Sequence, residues 1–89
     1  MPRTQQTFVN NRDCPIYISV EPWPHCFELE PDDKLTLVWD AAKTGDALEV
    51  SFLTDRELTV SPNGRVDELQ ILFNDGPATD RSWAFKHPL

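Results

Sequence analysis

Glycine, metal-binding side chains and phosphate-holding loops are scarce in this chain, and each shortage excludes a class of function. Only three of the 89 residues are glycine, and they do not form the cluster whose backbone N–H groups would hold a phosphate. The two histidines, two cysteines and single methionine lack the spacing of a zinc or blue-copper ligand set. We therefore predict no nucleotide-binding loop, no metal site and no cofactor.

Long apolar runs are absent as well. No stretch approaches the roughly 18 apolar residues of a membrane span, and the first residues do not resemble a secretory signal. We expect a cytoplasmic protein with reduced Cys14 and Cys26. In a predicted hairpin of residues 16–20 and 26–30, Cys26 would lie opposite Val20. Cys14 would then be too distant for a disulfide.

Positive charge is in short supply: eight Lys and Arg residues stand against fifteen Asp and Glu residues, so the net charge is −7. The excess lies in residues 21–57, which hold ten acidic and three basic residues. Such a surface repels nucleic acid and anionic bilayers, because both are bound through Lys and Arg. We expect neither as a partner, and we interpret the acidic residues as a solvated outer face rather than a recognition patch.

The chain does contain a repeated alternation of apolar and other residues. Leu35, Leu37 and Trp39 alternate with Thr36 and Val38, and five other short segments follow the same pattern between Pro, Gly, Asn or Asp residues. A period of two predicts strands with one buried face. The fold class is therefore all-β: a small antiparallel β-sandwich, or a partly closed barrel, of about six to eight short strands. We expect residues 1–6 to be disordered and residues 7–89 to form a single all-β domain.

Turn-forming residues predict where the strands end. Pro31 predicts a type I turn, and Asn63-Gly64 predicts a reverse turn. Residues 66–74 fit a strand or a helix, and the turn signal at residues 74–77 favours the strand. A last strand is expected at residues 82–86.

The alternation also predicts which side chains face the core. The expected inner residues are Phe8, Ile16, Ile18, Val20, Phe27, Leu29, Leu35, Leu37, Trp39, Leu48, Val50, Phe52, Leu58, Val60, Leu69, Ile71, Phe73, Trp83 and Phe85. Four apolar residues fall on the opposite face: Tyr17, Val38, Leu53 and Leu72. Scattered singly they need no explanation, whereas together on one sheet they would form a patch for a homodimer or another protein partner.

The segment Pro22-Trp23-Pro24-His25 is the most distinctive local feature. A tryptophan held between two prolines loses little conformational entropy on binding, so an exposed Trp23 would be a good anchor for a partner. The alternative is that Trp23 covers one end of the sandwich as a structural plug. Residues 22–25 are therefore the candidate binding loop.

No residue set predicts catalysis. Glu28 and Glu30 share one strand face and could form an acid–base pair, but we expect that face to be hydrated. His25 and Cys26 are adjacent, so their side chains would point in opposite directions in a strand. The favoured interpretation is a non-enzymatic interaction domain with the Trp23 loop as contact surface. The alternative is a small metal-dependent protein or hydrolase using Glu28, Glu30, His25 and Cys26.

Overall fold

The computed structural model describes residues 3–21 and 25–78. Within these ranges the chain is all-β and has no helix. The strands are β1 (Arg3–Val9), β2 (Ile16–Val20), β3 (His25–Leu29), β4 (Lys34–Ala41), β5 (Leu48–Phe52), β6 (Glu57–Pro62), β7 (Gly64–Phe73) and β8 (Gly76–Pro77).

The strands form two four-stranded sheets, in the orders β1-β4-β7-β8 and β3-β2-β6-β5. We call these the first and the second sheet. All neighbouring strands are antiparallel except β2 and β6, which are parallel. The two open sheets confirm the predicted β-sandwich and do not form a closed barrel. No helix that could cross a membrane occurs in residues 3–21 or 25–78.

The core lies between the two sheets and contains most of the predicted inner residues. Leu35, Leu37 and Trp39 of β4 are fully or almost fully buried, as the alternation predicts. The indole Nε1–H of Trp39 donates a hydrogen bond to the backbone carbonyl of Asn63 at 3.0 Å. The other buried apolar residues of the core cluster are Ile18, Val20, Phe27, Leu29, Val60, Phe73 and Ala78.

The hairpin of β2 and β3 has a different register from the predicted one. Cys26 lies opposite Ser19, and His25 lies opposite Val20. The expected pairing of Cys26 with Val20 is therefore wrong by one residue. Opposite residues in an antiparallel pair point to the same face, so only the observed register places Ile18 and Phe27 together in the core.

Two of the turns have positive φ angles at non-glycine residues. Asp33 N–H donates to the Glu30 carbonyl at 3.0 Å, and Asp32 has φ = 73°. This φ is typical of a type II turn, so the predicted type I turn is wrong. Asn74 and Asp75, with φ of 52° and 68°, form a tight type I′ connection between β7 and β8. Residues 66–73 belong to β7, which confirms the strand interpretation.

The predicted reverse turn at Asn63-Gly64 is wrong. Asn63 is not among the positive-φ residues, and the chain passes there directly from β6 in the second sheet to β7 in the first. Gly64 has φ = 130°, and a Cβ atom on it would clash with the Asp40 carbonyl and lie 2.5 Å from the Ala42 nitrogen. Glycine is needed for close approach to β4 rather than for a hairpin.

The structure describes the chain from residue 3 but not beyond residue 78, so it bears on the prediction for the first residues and not on that for the last strand. Strand β1 begins at Arg3, so residues 3–6, which we expected to be disordered, pair with β4. The predicted last strand at residues 82–86, with its two inner aromatic residues, lies outside the described residues.

Candidate functional site

Within the part of the chain that the structure describes, one side of the sandwich is open, and apolar side chains of β5 are exposed there. Val50 and Phe52 point to the inner side of the second sheet, in register with Val60 and Leu58. Their exposed fractions are nevertheless 38% and 73%, and Leu53 just after β5 is 63% exposed. The prediction that Val50 and Phe52 are core residues is therefore wrong. Both lie on the edge strand of their sheet, where the opposite sheet does not cover them.

A groove runs between β1 and the inner face of the second sheet. Its volume is about 420 Å³. The apolar part of its wall consists of Phe8, Val9, Ile16, Ile18, Phe52 and Leu58. Arg12 and Asp55 line the same groove and form an exposed ion pair with an N–O distance of 3.9 Å. The groove thus combines an apolar floor with a charged rim, as protein-binding surfaces do.

Asn10 fixes the loop that forms one end of the groove. Its side-chain amide Nδ2 donates to the carbonyls of Cys14 at 2.9 Å and Leu29 at 2.8 Å. Its Oδ1 accepts the backbone N–H of Arg12 at 2.9 Å. Asn10 is only 1% exposed, and these three hydrogen bonds explain how a polar side chain is buried there. Nothing in the sequence next to Asn10 indicates its contact with Leu29, which lies 19 positions away.

Strand β5 has a free edge as well as an exposed face. Among the described strands it pairs only with β6. Asn63 N–H donates to the Ala47 carbonyl at 2.8 Å, and Leu53 N–H donates to the Glu57 carbonyl at 2.8 Å. Both bonds continue the register of β5 with β6. Hydrogen-bonded pairs alternate in an antiparallel ladder, so the backbone groups of Leu48, Val50 and Phe52 point away from β6.

The predicted binding loop is only partly within the described residues. Pro22, Trp23 and Pro24 lie outside them. His25 is the first residue of β3, is exposed, and has its ring 6.4 Å from the ring of Phe27. The contact role of the Trp23 loop stays a prediction.

The four predicted outward apolar residues do not share one surface. Tyr17 is on the outer face of the second sheet, in register with Glu28. Val38 and Leu72 are on the first sheet, where Leu72 pairs with Thr36, two residues from Val38. They are diagonal neighbours on its outer face. Leu53 follows β5 beside the open side of the sandwich.

Tyr17 and Glu28 form the clearest polar pair of the outer face. The Tyr17 hydroxyl donates to Glu28 Oε2 at 3.2 Å. This hydrogen bond, followed by desolvation and the charges of Glu28 and Glu30, raises the pKa of Tyr17 above its usual 10.0. Glu28 is only 8% exposed, so the expected hydration of this face is wrong at Glu28, whereas Glu30 is exposed. The alternation predicts to which face of the sheet the Glu28 side chain points, but it does not predict whether neighbouring side chains cover it there.

His25 and Cys26 do not converge on a common point. His25 pairs with Val20, an inner residue, whereas Cys26 pairs with Ser19 on the outer face. Cys14 and Cys26 are both free cysteines. Across residues 3–21 and 25–78, no three His, Cys, Asp or Glu side chains are arranged to hold a metal ion.

Comparison with known proteins gives no function. No protein-family model, curated protein or solved structure matches the chain. The functional interpretation therefore depends on the geometry of the open side of the sandwich.

Proposed function

We propose that this chain is a non-enzymatic protein-interaction domain that binds an extended segment of a protein partner at the open side of its β-sandwich. The observation that carries the proposal is the 73% exposure of Phe52 beside an apolar groove of about 420 Å³. Single exposed apolar residues are common, but a contiguous apolar surface with a groove is typical of an interaction site.

The free edge of β5 supports the extended form of the partner. Native proteins protect edge strands with proline, lysine, bulges or covering segments. Residues 48–52 contain no proline, lysine or glycine, and the inner side chains of β5 are exposed. A partner in extended conformation would satisfy the free backbone groups and cover the apolar side chains at once.

The acidic composition supports a protein rather than a nucleic acid or membrane partner, because Lys and Arg are too few to bind phosphates. We propose the cytoplasm as its location, which is consistent with two free cysteines. The Trp23 loop is a second proposed contact.

Photo-cross-linking from position 52 tests the proposal. Phe52 is replaced by p-benzoylphenylalanine, which preserves the aromatic ring, and the full chain is irradiated in a lysate of cells that express it. The control carries the same group at the exposed Gln70, which lies on the first sheet. We expect an adduct from position 52 that excess wild-type chain suppresses and excess Phe52→Ser chain does not. Equal adducts from both positions, or none from position 52, would contradict the proposal.

A further inference from the structure

We propose that the partner at the open side is a second copy of this chain, bound by antiparallel pairing of β5 with the β5 strand of that copy. This inference rests on the proposed function and names the partner for the same site. It would join the two second sheets into one continuous eight-stranded sheet with a two-fold axis at Val50.

The backbone of β5 permits this pairing. Leu48, Val50 and Phe52 direct their N–H and C=O groups toward the free edge, as the bonds of Ala47 and Leu53 with β6 require. In a two-fold pair centred on Val50, Val50 faces Val50 of the second copy, and Leu48 faces Phe52. All three pairs are then hydrogen-bonded pairs, which gives six main-chain bonds.

The side chains favour the register centred on Val50. Residues opposite each other point to the same face of a sheet. A centre between two residues would place an inner residue of one copy opposite an outer residue of the other, so the centre must be a residue: Glu49, Val50 or Ser51. A centre at Glu49 would place two like charges directly opposite each other, which is unfavourable. A centre at Ser51 would place Glu49 opposite the apolar Leu53. With Val50 at the centre, Glu49 faces Ser51 of the second copy on the outer face.

The inner face gains the most from this arrangement. Leu48, Val50 and Phe52 of the two copies would form one band of six apolar side chains, and the exposed Phe52 ring would pack beside Leu48 of the other copy. The edge of β1 offers a smaller apolar surface, because Arg3-Thr4-Gln5-Gln6-Thr7 is polar and only Phe8 and Val9 at the end of the strand are apolar. At the other edge of the second sheet, β3, the inner residues Phe27 and Leu29 are already buried. Strand β5 is therefore the edge of that sheet at which a second copy gains apolar contact.

The charge of the chain predicts how the association depends on salt. Each copy carries a net charge of −7, so two copies repel at long range, and salt screens that repulsion. We expect self-association to strengthen as ionic strength rises. A basic protein segment bound at the same edge would show the opposite dependence.

Sedimentation equilibrium of the full reduced chain is the primary test. A five-residue strand pair is smaller than a standard protein interface, so we expect reversible dimers between about 10 µM and 1 mM. Val50→Pro removes an N–H that faces the free edge and leaves the β5–β6 bonds intact. We expect it to weaken association by at least about fivefold, because each dimer loses two hydrogen bonds.

Gln5→Pro is the matched control for this proline. Asn10 N–H donates to the Asp33 carbonyl at 3.0 Å, in the register of β1 with β4, so the N–H of Gln5 also faces a free edge. We expect Gln5→Pro to associate like the wild type. Loss of association in Gln5→Pro but not in Val50→Pro would overturn the assignment to β5.

Charge changes at Ser51 test the register itself. Ser51→Lys places a cation opposite Glu49 twice per dimer, whereas Ser51→Glu places like charges there. We expect association to strengthen about 2- to 30-fold in the first variant and to weaken by a similar factor in the second. Thr44→Lys and Thr44→Glu, in an exposed turn, make the same charge changes away from the edge and should have much smaller effects.

The outcomes separate this inference from the proposed function. A monomer throughout the concentration range, or dimers that the changes at Val50 and Ser51 leave unaltered, would overturn the second copy as partner. If the adduct from position 52 then contains a different protein, the proposed function stands with another occupant. If position 52 also gives no specific adduct, both fail.

Discussion

The buried amide of Asn10 provides the sharpest test of how the groove is positioned, through the substitution Asn10→Asp. Aspartate has almost the same shape as asparagine, but it replaces the Nδ2 donor with an oxygen. That oxygen would face the carbonyls of Cys14 and Leu29 at the present distances of 2.9 Å and 2.8 Å. The substitution therefore removes two hydrogen bonds and puts a negative charge against two carbonyl dipoles at a site that is 1% exposed.

The expected loss of stability is large for a chain of this size. Two lost hydrogen bonds cost about 1 kcal/mol each, and an uncompensated buried charge costs about 3–5 kcal/mol. These contributions overlap, so we expect the free energy of unfolding at pH 7 to fall by about 3–5 kcal/mol. A domain of 89 residues has roughly 5–13 kcal/mol in total.

Urea unfolding followed by tryptophan fluorescence measures this effect, because Trp39 is buried in the native core. Asn11→Asp is the matched control, since Asn11 is the next residue and is exposed. With a urea dependence of about 1.5 kcal/mol/M, the midpoint of Asn10→Asp should lie about 2 M or more below that of the control. Midpoints within about 0.3 M of each other would refute the role assigned to the Asn10 amide.

The pH dependence gives a second measurement on the same pair of variants. Burial should raise the pKa of the Asp introduced at position 10 in the folded state, because the neutral carboxyl is favoured there. Stability is then retained below the unfolded pKa and lost as pH rises through the folded pKa. The difference in free energy of unfolding between the Asn10→Asp and Asn11→Asp variants should therefore become smaller as pH falls from 7 toward 4.

Three further predictions follow from local geometry. Gly64→Ala should lower the free energy of unfolding by about 2–3 kcal/mol in urea denaturation, because φ is 130° and the added Cβ meets backbone. Gly76→Ala should change it by less than about 0.5 kcal/mol, because its Cβ would meet only a carbonyl oxygen at 3.7 Å. Absorbance titration at 295 nm should show Tyr17, the single tyrosine, ionising above pH 10. Its contribution to stability is present below pH 10 and is lost as pH rises through the folded pKa; Glu28→Gln should lower that pKa toward 10. Asp32→Gly should stabilise the fold by about 0.5 kcal/mol and Asp32→Val should destabilise it by about 1–2 kcal/mol, because φ is 73°. Thermal unfolding that shows a destabilised Asp32→Gly variant and a stabilised Asp32→Val variant would contradict the turn assignment.

The fold class was predictable because strand alternation is a local property. Leu35, Leu37 and Trp39 are buried where a period of two places them. The pattern of residues 66–73 was ambiguous between helix and strand, and the turn at Asn74 correctly indicated the strand. Neither inference needed to know which strands are neighbours.

The structural features that could not be predicted from the sequence depend on contacts between residues that are distant in the chain. Asn63-Gly64 has the composition of a hairpin turn, yet Gly64 is required for close approach to Asp40, far away in sequence. Asn10 looks like an ordinary turn residue, yet its amide bonds the carbonyl of Leu29, 19 positions away. Such contacts depend on which strands meet, and turn propensities contain no information about that pairing.

Strands β4 and β5 differ in burial for the same reason, namely their places in the two sheets. Both strands alternate in the same way, but β4 lies inside its sheet, between β1 and β7, whereas β5 lies at the edge of its sheet. The inner residues of β4 are therefore buried, while Phe52 is 73% exposed. Leu48 of β5 still packs against the core cluster, whereas residues 3–21 and 25–78 leave most of the Phe52 side chain uncovered. That exposed face would be covered if another chain packed on it, and for this reason we propose that Val50 and Phe52 mark the place where a partner binds.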